Sequence, residues 1–356
     1  VSLPNGKSVT RMDAFSYYAS RVEFSGPVGY TVESDPVGLL LWDLNGDKKV
    51  DAVVANSGTD SLSVLLGKGD GTFADQVKNK VGGQPEAVRA GDFNGDGIGD
   101  LLVGAPGTDT DLSASAADAQ GRSYVIFGTA ASRGTPLPLS SLDGSNGFMI
   151  DGQVHLALSG TAISAAGDVN GDGLDDIIIG AAGLNQSYVL FGRRSPVQSP
   201  LPLSNVDASV GITLAGISTR TGSSVAAAGD VNGDGLADIA TPVDTNTRTN
   251  GNWQVCLSTG DGGFERFTGV VNNVGTRTST CKTINGLLFA NGDAVTTGDF
   301  DGDGRADLLA WQKAEDGNQG WQIAYARGAK SAYNAIANSV DFSVIRQLPI
   351  AGLTEP

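Results

Sequence analysis

The sequence predicts an all-β fold built from repeated four-stranded antiparallel units, and three observations support this prediction. The chain of 356 residues contains 51 glycines, while aromatic residues make up 6% and charged residues 17% of it. Its apolar segments are short, and none follows the 3.6-residue period of a helix. One acidic nine-residue pattern occurs five times along the chain. Short strands joined by tight turns and organised as repeats account for all three observations.

The spacing of the acidic pattern limits the possible architectures. Its copies begin at residues 43, 92, 168, 230 and 299. This spacing is too long for a nonapeptide β-helix, and it suits propeller blades of about 40–50 residues with insertions in their loops. A helical solenoid is excluded because the apolar segments are too short. We therefore predict a β-propeller with four-stranded antiparallel blades.

Each predicted unit contains a small-residue strand, the acidic loop, a buried strand, a second apolar strand, a long loop and an outer strand. Small residues suit the strands that crowd the centre of a propeller, and they precede three of the loops, at 163–167, 225–229 and 295–298. The buried strands follow the loops, at 52–55, 101–105, 177–181, 238–240 and 308–311. The second apolar strands are predicted at 63–67, 124–128, 188–192, 253–257 and 321–326.

The repeats divide the chain into five complete units and a partial one. The complete units are predicted at about 35–82, 83–152, 153–216, 217–284 and 285–350, with a tail at 351–356. Residues 1–34 form the partial unit, with strands around 15–19 and 23–32, and residues 341–350 form the last outer strand. A closed ring would have six or seven blades. The number of blades and the way the ring closes stay open.

The acidic loops carry the oxygen ligands that a hard cation such as calcium selects. In DVNGDGLDD, residues 168–176, side-chain oxygens occupy positions 1, 3, 5 and 9, and the glycines let the backbone fold around them. An EF-hand would need a glutamate at position 12, where the five copies have Val54, Val103, Ile179, Thr241 and Ala310. A single copy could be a solvated turn, but five copies in register favour a metal-binding loop between two strands.

These loops resemble FG-GAP (VCBS-type) repeats, which form the β-propeller of integrin α chains. The pattern D-x-[DN]-x-D-G-x-x-D follows small-residue strands, and LLVGAP at 101–106 carries the Gly-Ala-Pro element. Elsewhere the proline is missing, as in IIIGAAG at 177–183, and the Phe-Gly positions read SG at 159–160 and TG at 221–222. SVLLGKGDGTF at 63–73 is closer to the bacterial form of the repeat. The resemblance extends over about residues 25–350 and implies a calcium-binding propeller.

The family pattern implies which residues bind calcium. Positions 1, 3, 5 and 9 would bind through side chains, which gives Asp43, Asn45, Asp47, Asp51, Asp92, Asn94, Asp96, Asp100, Asp168, Asn170, Asp172, Asp176, Asp230, Asn232, Asp234, Asp238, Asp299, Asp301, Asp303 and Asp307. Position 7 would bind through its carbonyl group, which gives Lys49, Ile98, Leu174, Leu236 and Arg305. Up to five structural calcium ions are expected.

The five loops are not expected to be equal. The first loop has Lys48 where the others have glycine, at a position that favours a left-handed backbone, and this costs a residue with a side chain roughly 1–2 kcal/mol. Lys48 and Lys49 also weaken the negative field of this loop. The fifth loop has four carboxylates. We therefore expect calcium to bind most weakly at 43–51 and most tightly at 299–307.

Composition and motifs exclude several classes of function. The formal net charge of −16 argues against nucleic acid or an anionic membrane as a partner. No apolar run approaches the roughly 18 residues of a membrane span. The chain has one histidine, His155, and it lacks the motifs of hydrolases, metalloproteases and nucleotide-binding enzymes. The sequence therefore predicts neither catalytic residues nor an organic cofactor, and no enzyme activity.

Some features remain open at the level of sequence. Cys256 and Cys281 form either a disulfide or two buried thiols. The tryptophans lie in or beside predicted strands, which favours packing over sugar stacking; they are Trp42, Trp253, Trp311 and Trp321. The long polar loops at 106–122 and 241–252 are candidate binding surfaces, although either could be a variable surface loop.

The expected function is that of a calcium-stabilised extracellular β-propeller, serving in adhesion or recognition or as a structural module of the cell surface. Its partner would be a protein or glycan ligand at the cell surface, or further copies in a surface assembly. The alternatives are a carbohydrate-binding lectin and a non-catalytic propeller domain of a secreted polysaccharide-active enzyme. Calcium sites of extracellular modules bind at about 10⁻⁴–10⁻³ M, so they are filled outside the cell and empty in the cytosol.

Overall fold

The computed structural model describes most of the chain from residue 28 onward. The described residues are 28–108, 119–129, 138–194, 196–215, 221–243, 251–260, 264, 267–270, 276–279, 282–289, 295–300, 304–313, 319–328, 340–341 and 345–348. Residues 32–356 form one compact unit, and residues 1–31 form another. In the described part of residues 32–356, regular structure consists of strands and four single-turn 3₁₀ helices, Ser57–Thr59, Leu139–Ser141, Ala182–Leu184 and Leu203–Asn205. None of the helices described is long and apolar enough to cross a membrane.

The first three sheets account for residues 36–215. Sheet 1 consists of β1 (Pro36–Trp42), β2 (Asp51–Asn56), β3 (Ser61–Leu65) and β4 (Val77–Lys80). Sheet 2 consists of β5 (Ala87–Gly91), β6 (Asp100–Ala105), β7 (Arg122–Ile126) and β8 (Gly147–Asp151). Sheet 3 consists of β9 (Ser159–Gly167), β10 (Asp176–Ala181), β11 (Gln186–Leu190) and β13 (Gly211–Ala215). The short β12 (Leu201–Pro202) joins the outer edge of sheet 2, parallel to β8.

Two further sheets follow. Sheet 4 consists of β14 (Ala226–Gly229), β15 (Asp238–Val243), β16 (Gly251–Cys256) and β19 (Lys282–Phe289). Sheet 5 consists of β20 (Val295–Gly298), β21 (Asp307–Lys313), β22 (Gln319–Ala324) and β25 (Ile345–Leu348). Two-stranded ribbons are formed by β17 (Phe267–Val270) with β18 (Thr276–Ser279) and by β23 (Arg327–Gly328) with β24 (Val340–Asp341). Apart from β12, neighbouring strands are antiparallel and follow the order of the chain.

Alternation of side chains along the second strand buries both faces of a sheet. In β10, Ile177 and Ile179 point into the core between sheets 2 and 3, whereas Ile178 points into the core between sheets 3 and 4. Successive strand residues face opposite sides, so an unbroken apolar run fills two cores at once. All three isoleucines are at most 2% exposed. Each contributes roughly 1.5–3 kcal/mol by its burial.

Among the residues whose burial the structure describes, three apolar cores join consecutive sheets. The first lies between sheets 1 and 2 and includes Val53, Leu62, Val88, Val103 and Tyr124. The second lies between sheets 2 and 3 and includes Leu102, Val125, Ile150, Ile163 and Tyr188. The third lies between sheets 3 and 4 and includes Ala166, Val189, Leu214, Val225 and Ile239. The first strands also contact one another in succession, β1 with β5, β5 with β9, β9 with β14 and β14 with β20. The sheets are therefore stacked face to face in chain order.

Close stacking explains the glycine that recurs in the second strands. A Cβ atom on Gly104 would lie 2.3 Å from the carbonyl oxygen of Gly160 in the next sheet. A Cβ atom on Gly180 would lie 2.1 Å from the carbonyl oxygen of Gly222. Both distances are too short for a carbon atom, so the Gly-Ala pairs that end β6 and β10 allow the following sheet to approach.

The predicted strand order of a unit is confirmed. The predicted buried strands lie in β2, β6, β10, β15 and β21, and the second apolar strands overlap β3, β7, β11, β16 and β22. The all-β class and the four-stranded antiparallel sheets are confirmed as well. The predicted boundary at residue 284 lies inside β19, because the ribbon β17–β18 is inserted between β16 and β19.

The predictions for the ends and the long loops are covered only in part. The strand predicted at 15–19 lies outside the described residues, and the described part of 23–32 contains no strand. Most of the loop at 106–122 also lies outside them. The loop predicted at 241–252 is shorter, because β15 continues to Val243 and β16 begins at Gly251.

Candidate metal centres

The five acidic loops occupy equivalent places, each between the first and second strand of a sheet. They follow β1, β5, β9, β14 and β20 directly. Position 9 of every loop is the first residue of the second strand, namely Asp51, Asp100, Asp176, Asp238 and Asp307. In the fifth loop, residues 301–303 lie outside the described part of the chain, so the predicted ligands Asp301 and Asp303 do too.

The aspartate at position 1 organises the turn. In the third loop, Asp168 Oδ1 accepts hydrogen bonds from the backbone N–H groups of Gly171 at 2.7 Å and Asp172 at 3.0 Å. Asp168 Oδ2 accepts one from the N–H of Gly173 at 2.8 Å. The second and fourth loops repeat this arrangement around Asp92 and Asp230. Three N–H groups thus fix one carboxylate at the centre of the loop.

Positions 3 and 5 add oxygens beside that carboxylate. Asn170 Oδ1 accepts a hydrogen bond from the N–H of Asp172 at 3.0 Å, the same N–H that contacts Asp168. Asp172 Oδ2 accepts from Asn170 Nδ2 at 2.9 Å, and its Oδ1 accepts from the N–H of Leu174 at 2.9 Å. The oxygens of positions 1 and 3 therefore converge on one backbone nitrogen, and position 5 lies next to them.

The aspartate at position 9 connects two separate segments of the backbone, unlike the other acidic residues of the loop. In every loop its two oxygens accept backbone hydrogen bonds of 2.7–3.0 Å, one from position 2 of the loop and one from a residue just beyond the third strand. The donor pairs are Leu44 and Gly67, Phe93 and Gly128, Val169 and Gly192, Val231 and Ser258, and Phe300 and Ala326. All five aspartates are 0% exposed. We call these residues the anchor aspartates.

Sequence reasoning missed the partners of the anchor aspartates. One partner of each lies seven residues away and the other 16 to 28 residues away. Both donate through the backbone, so no side-chain motif indicates them. The available signal is the glycine that follows the third strand in sheets 1 to 3. At Gly128 a Cβ atom would lie 2.3 Å from the carbonyl oxygen of Gly99, so the chain can pass this close only without a side chain.

Burial dominates the electrostatics of the anchor aspartates. It raises the pKa of Asp100, Asp176 and Asp238 to about 7, and the repulsion by nearby loop carboxylates acts in the same direction. The two N–H donors lower the pKa of each carboxyl group, but by less than desolvation raises it. At position 5 of the first loop, the N–H of Lys49 instead lowers the pKa of the exposed Asp47.

The donor set of the loops fits a hard cation. In the first four loops, positions 1, 3 and 5 offer two carboxylates and one amide oxygen in one turn, which are the ligand types that calcium prefers. Each carboxylate has about four acceptor sites, so its hydrogen bonds leave room for an ion. Among the described residues, no three side chains of His, Cys, Asp or Glu converge on a common point. The third acidic group of each loop, the anchor aspartate, turns to the backbone; whether it also binds metal stays a prediction.

The first loop departs from the others as expected at Lys48. This residue has φ 65°, and glycines with φ of 81°, 84°, 90° and 85° occupy the equivalent place in the other loops. The predicted left-handed backbone at this position is therefore confirmed. Lys49 Nζ lies 3.2 Å from Asp47 Oδ2, so a lysine already pairs with one of the predicted ligands.

A cleft of about 430 Å³ opens beside the second loop. Its lining includes Arg194, which follows β11 of sheet 3, and Asn146, which precedes β8. The other lining residues come from the second loop and from the segments after β7 and before β8; they are Asn94, Gly95, Asp96, Phe127, Gly128, Thr129 and Ser145. Apolar atoms make up the larger part of the lining surface, and amide, hydroxyl, carboxylate and guanidinium groups supply the rest.

The remaining candidate residues lie apart from the loops. His155 is exposed in the connection between β8 and β9. Trp42 ends β1 and lies against Gly99 of the second sheet. Trp253, Trp311 and Trp321 lie in β16, β21 and β22. Cys256 is buried and disulfide-bonded, which decides a question that the sequence left open; the other cysteine, Cys281, lies outside the described residues.

Family profiles match the repeats. The profile described as FG-GAP repeat matches residues 85–126, 159–190 and 221–252. The profile described as FG-GAP-like repeat matches residues 43–103. These ranges include the first four acidic loops and, apart from β1, the strands that flank them.

Individual relatives match part of the chain. The phosphatidylinositol-glycan-specific phospholipase D of Bos taurus is 32% identical over 161 residues, and that of Homo sapiens is 31% identical over the same length. The matched segment covers 43% of this chain and 18% of each phospholipase. The chain therefore spans slightly less than a fifth of the length of these curated relatives.

Two solved structures show weaker likenesses. A pore-state Tc holotoxin of Photorhabdus luminescens is 17% identical with a TM-score of 0.38, and the match covers 83% of this chain and 11% of that one. BBS1N in its complex with ARL6DN is 10% identical with a TM-score of 0.38, and the match covers 83% and 79% of the two chains.

The anchor aspartates predict a stability difference that does not depend on metal. Replacing Asp176 by asparagine leaves one acceptor oxygen for two N–H donors and turns an amide N–H₂ group towards one of them. We expect Asp176→Asn to lower the free energy of unfolding by about 1–3 kcal/mol, measured by urea denaturation in the presence of a chelator. The exposed Asp207 is the matched control, and Asp207→Asn should change stability by no more than about 0.5 kcal/mol. Equal effects of the two variants would contradict the anchoring role.

Replacing either of the two neighbouring lysines of the first loop by glycine should change the free energy of unfolding, with opposite signs for the two positions. Lys48→Gly removes a side chain from a left-handed position and should raise the free energy of unfolding by about 1 kcal/mol. Lys49→Gly offers no such relief, because Lys49 is not among the residues with positive φ, and should lower it by about 0.5–1 kcal/mol. Urea denaturation without metal measures both. Calcium titration should also show tighter binding in Lys48→Gly, and no tightening would contradict the assigned weakness of this loop.

Proposed function

We propose, from the premise that the chain carries FG-GAP repeats, the repeat type of integrin α chains, that it is a calcium-stabilised β-propeller acting in recognition or adhesion outside the cell. The observation that supports this most is the repeated acidic loop: in its first four copies, side-chain oxygens of positions 1, 3 and 5 are gathered by backbone N–H groups. Ca²⁺ bound there supplies positive charge to a turn that otherwise crowds carboxylates. Its role is structural.

The residues that would hold calcium are those of the family pattern. Positions 1, 3 and 5 of each loop are the ligands whose arrangement supports binding, as seen around Asp168, Asn170 and Asp172. The carbonyl of position 7 and the carboxylate of position 9 complete the proposed set. Since the anchor aspartates already accept two hydrogen bonds each, the exposed half of the loop carries most of the binding.

Closure of the sheets into a propeller is part of the proposal. Leu40 of β1 packs towards sheet 2, whereas Leu39 and Leu41 point the other way and are 63% and 54% exposed. Along the described stack, this type of sheet face is covered by the neighbouring sheet. An exposed apolar row on the first strand therefore supports a ring in which another sheet packs against β1.

Two physical arguments support an extracellular location. The disulfide at Cys256 is the kind of bond that persists in oxidising compartments. Calcium sites of extracellular modules bind at about 10⁻⁴–10⁻³ M, so they are occupied only where calcium is millimolar. The partner proposed on this basis is a protein or a glycan at the cell surface, or a further copy of the chain.

The proposed role is non-catalytic. The carboxylates gathered in the structure are engaged by backbone N–H groups within the loops, and the one histidine is exposed in a connection. The similarity to phosphatidylinositol-glycan-specific phospholipase D supports a variant of this role, in which the chain is the accessory part of a larger secreted enzyme. Turnover of a glycolipid or polysaccharide by the isolated chain would contradict the non-catalytic proposal.

A second candidate function is binding of an acidic sugar in the cleft beside the second loop. Arg194 offers a guanidinium group to a sugar carboxylate, and the amide and hydroxyl groups around it suit sugar hydroxyls. The matched control is Arg193, which is next in sequence but donates to the carbonyl of Ser209. We expect Arg194→Ala to weaken binding of a uronate-containing oligosaccharide about tenfold and Arg193→Ala to leave it unchanged, as measured by calorimetry. Absence of binding to the unaltered chain, or equal loss in both variants, would contradict this candidate.

Thermal unfolding with calcium and with a chelator tests the main proposal. If the loops bind calcium, several sites each contribute about 1.4 kcal/mol at ten times their Kd, and Tm should rise by about 10 °C. A triple variant with Asp96→Ala, Asp172→Ala and Asp234→Ala should lose most of this rise. The charge-matched control replaces three aspartates outside the loops, Asp75, Asp143 and Asp207, by alanine and should keep it. A rise of only a degree or two in the unaltered chain would contradict structural calcium.

A further inference from the structure

Hydrogen bonds join the acidic loops of neighbouring sheets. The backbone N–H at position 8 of one loop donates to the carbonyl oxygen at position 1 of the preceding loop. This contact occurs between Asp175 and Asp92 at 3.4 Å, between Ala237 and Asp168 at 2.9 Å, and between Ala306 and Asp230 at 2.8 Å. Four loops, those of sheets 2 to 5, are thereby connected in a line that we call the loop row.

Side chains at position 7 reinforce the loop row. Leu174 lies over Gly95 of the preceding loop, where a Cβ atom would come within 2.4 Å of Leu174 Cδ2. Leu236 lies over Gly171 in the same way, at 3.3 Å. In the fifth loop, Arg305 Nε donates to the carbonyl oxygen of Asn232 at 3.3 Å. Each loop thus covers the turn of the loop before it.

One link of the loop row has an additional side-chain bond. Asp175 Oδ2 accepts a hydrogen bond from the backbone N–H of Asp92 at 2.9 Å. Asp175 holds position 8, so it is not among the predicted ligands of its own loop. It binds the backbone of the residue whose carboxylate organises the preceding loop. A side-chain substitution can therefore weaken this link without removing a metal ligand.

The first loop lies outside the row. The place equivalent to position 8 in the second loop is Gly99, which lies against the ring of Trp42. Within the described residues, Gly99 makes no backbone hydrogen bond to Asp43. The contact that links the other loops is replaced here by packing of an aromatic ring.

We propose that the loop row couples the four loops energetically, so that ordering one loop, by calcium in particular, orders its neighbours, while the loop at 43–51 acts independently. Calcium binding to one loop fixes position 1 through its side chain, and the next loop holds the same residue through its carbonyl group. A loop that is already fixed loses less conformational entropy when it binds, which makes binding to adjacent loops cooperative. Linkage requires that the coupling be equal in both directions. The part of the proposal that concerns calcium rests on the function proposed for the loops.

Hydrogen exchange without calcium tests the coupling by itself. In Asp175→Ala the amides of Asp92, Gly95 and Gly97 should exchange about five-fold faster, because the link to the third loop is weakened. The amide of Lys48 in the first loop should be unaffected. Asp207→Ala, which removes an exposed aspartate of sheet 3 that makes no contact with the loop row, should change none of them. Asp175→Asn keeps an acceptor oxygen and should restore slow exchange. Unchanged exchange in the second loop of a folded Asp175→Ala variant would overturn the coupling.

Calcium titration followed by amide resonances tests the cooperative part. Asp234→Ala and Asp47→Ala each remove the carboxylate at position 5, the first inside the loop row and the second outside it. We expect Asp234→Ala to weaken binding at the loop of Gly173 about five-fold or more, and Asp47→Ala to leave it unchanged. Equal behaviour of the two variants would overturn cooperative binding. If the unaltered chain bound no calcium, the proposed function would fail, whereas the exchange experiment would still decide the coupling.

Discussion

The fold depends on one buried carboxylate in each sheet. An anchor aspartate begins the second strand, accepts the N–H of position 2 in the loop, and accepts a second N–H from beyond the third strand. It therefore fixes the first three strands relative to one another at one end of the sheet. A buried carboxylate without such donors would cost several kcal/mol, so the burial is tolerable only in this arrangement. The constraint is the same in all five sheets, which explains why aspartate recurs at position 9.

The anchored ends allow the sheets to stack closely. Strands fixed in this way present the alternating apolar residues of β10 and its equivalents to both neighbours, and a bare glycine lets the next sheet approach. Each sheet buries its faces only against adjacent sheets, as in other repeat proteins. The loop row is a consequence of this stacking, because loops at equivalent places in consecutive sheets are brought within hydrogen-bond distance. The repeated loops of the sequence are thus connected by hydrogen bonds between neighbouring sheets.

Features that depend on recurring side-chain types could be predicted from the sequence. The strand order, the loop positions and the left-handed backbone at Lys48 followed from recurring residue types. The role of the anchor aspartates did not, because a carboxylate at position 9 of a metal-binding loop and a carboxylate that binds backbone N–H groups look identical in sequence. The links of the loop row also escaped prediction, since they join backbone atoms of residues far apart in the chain. The predicted end of the fourth unit at residue 284 falls inside β19, because the ribbon β17–β18 lengthens the connection between the third and fourth strands of sheet 4; sheet 5 has the ribbon β23–β24 at the same place.

Each loop divides its acidic residues between two tasks. Position 9 is buried and its oxygens are used by the backbone, so the order of the strands does not require a cation. The side chains of positions 1, 3 and 5 are partly or fully exposed in the first four loops, where repulsion between carboxylates acts on the turn alone. A cation at these positions would therefore stabilise the turn and, through position 8 of the next loop, the contact between sheets. If the proposed calcium binds there, it would control how firmly neighbouring sheets are held together, whereas the internal structure of each sheet is set by its own anchor aspartate.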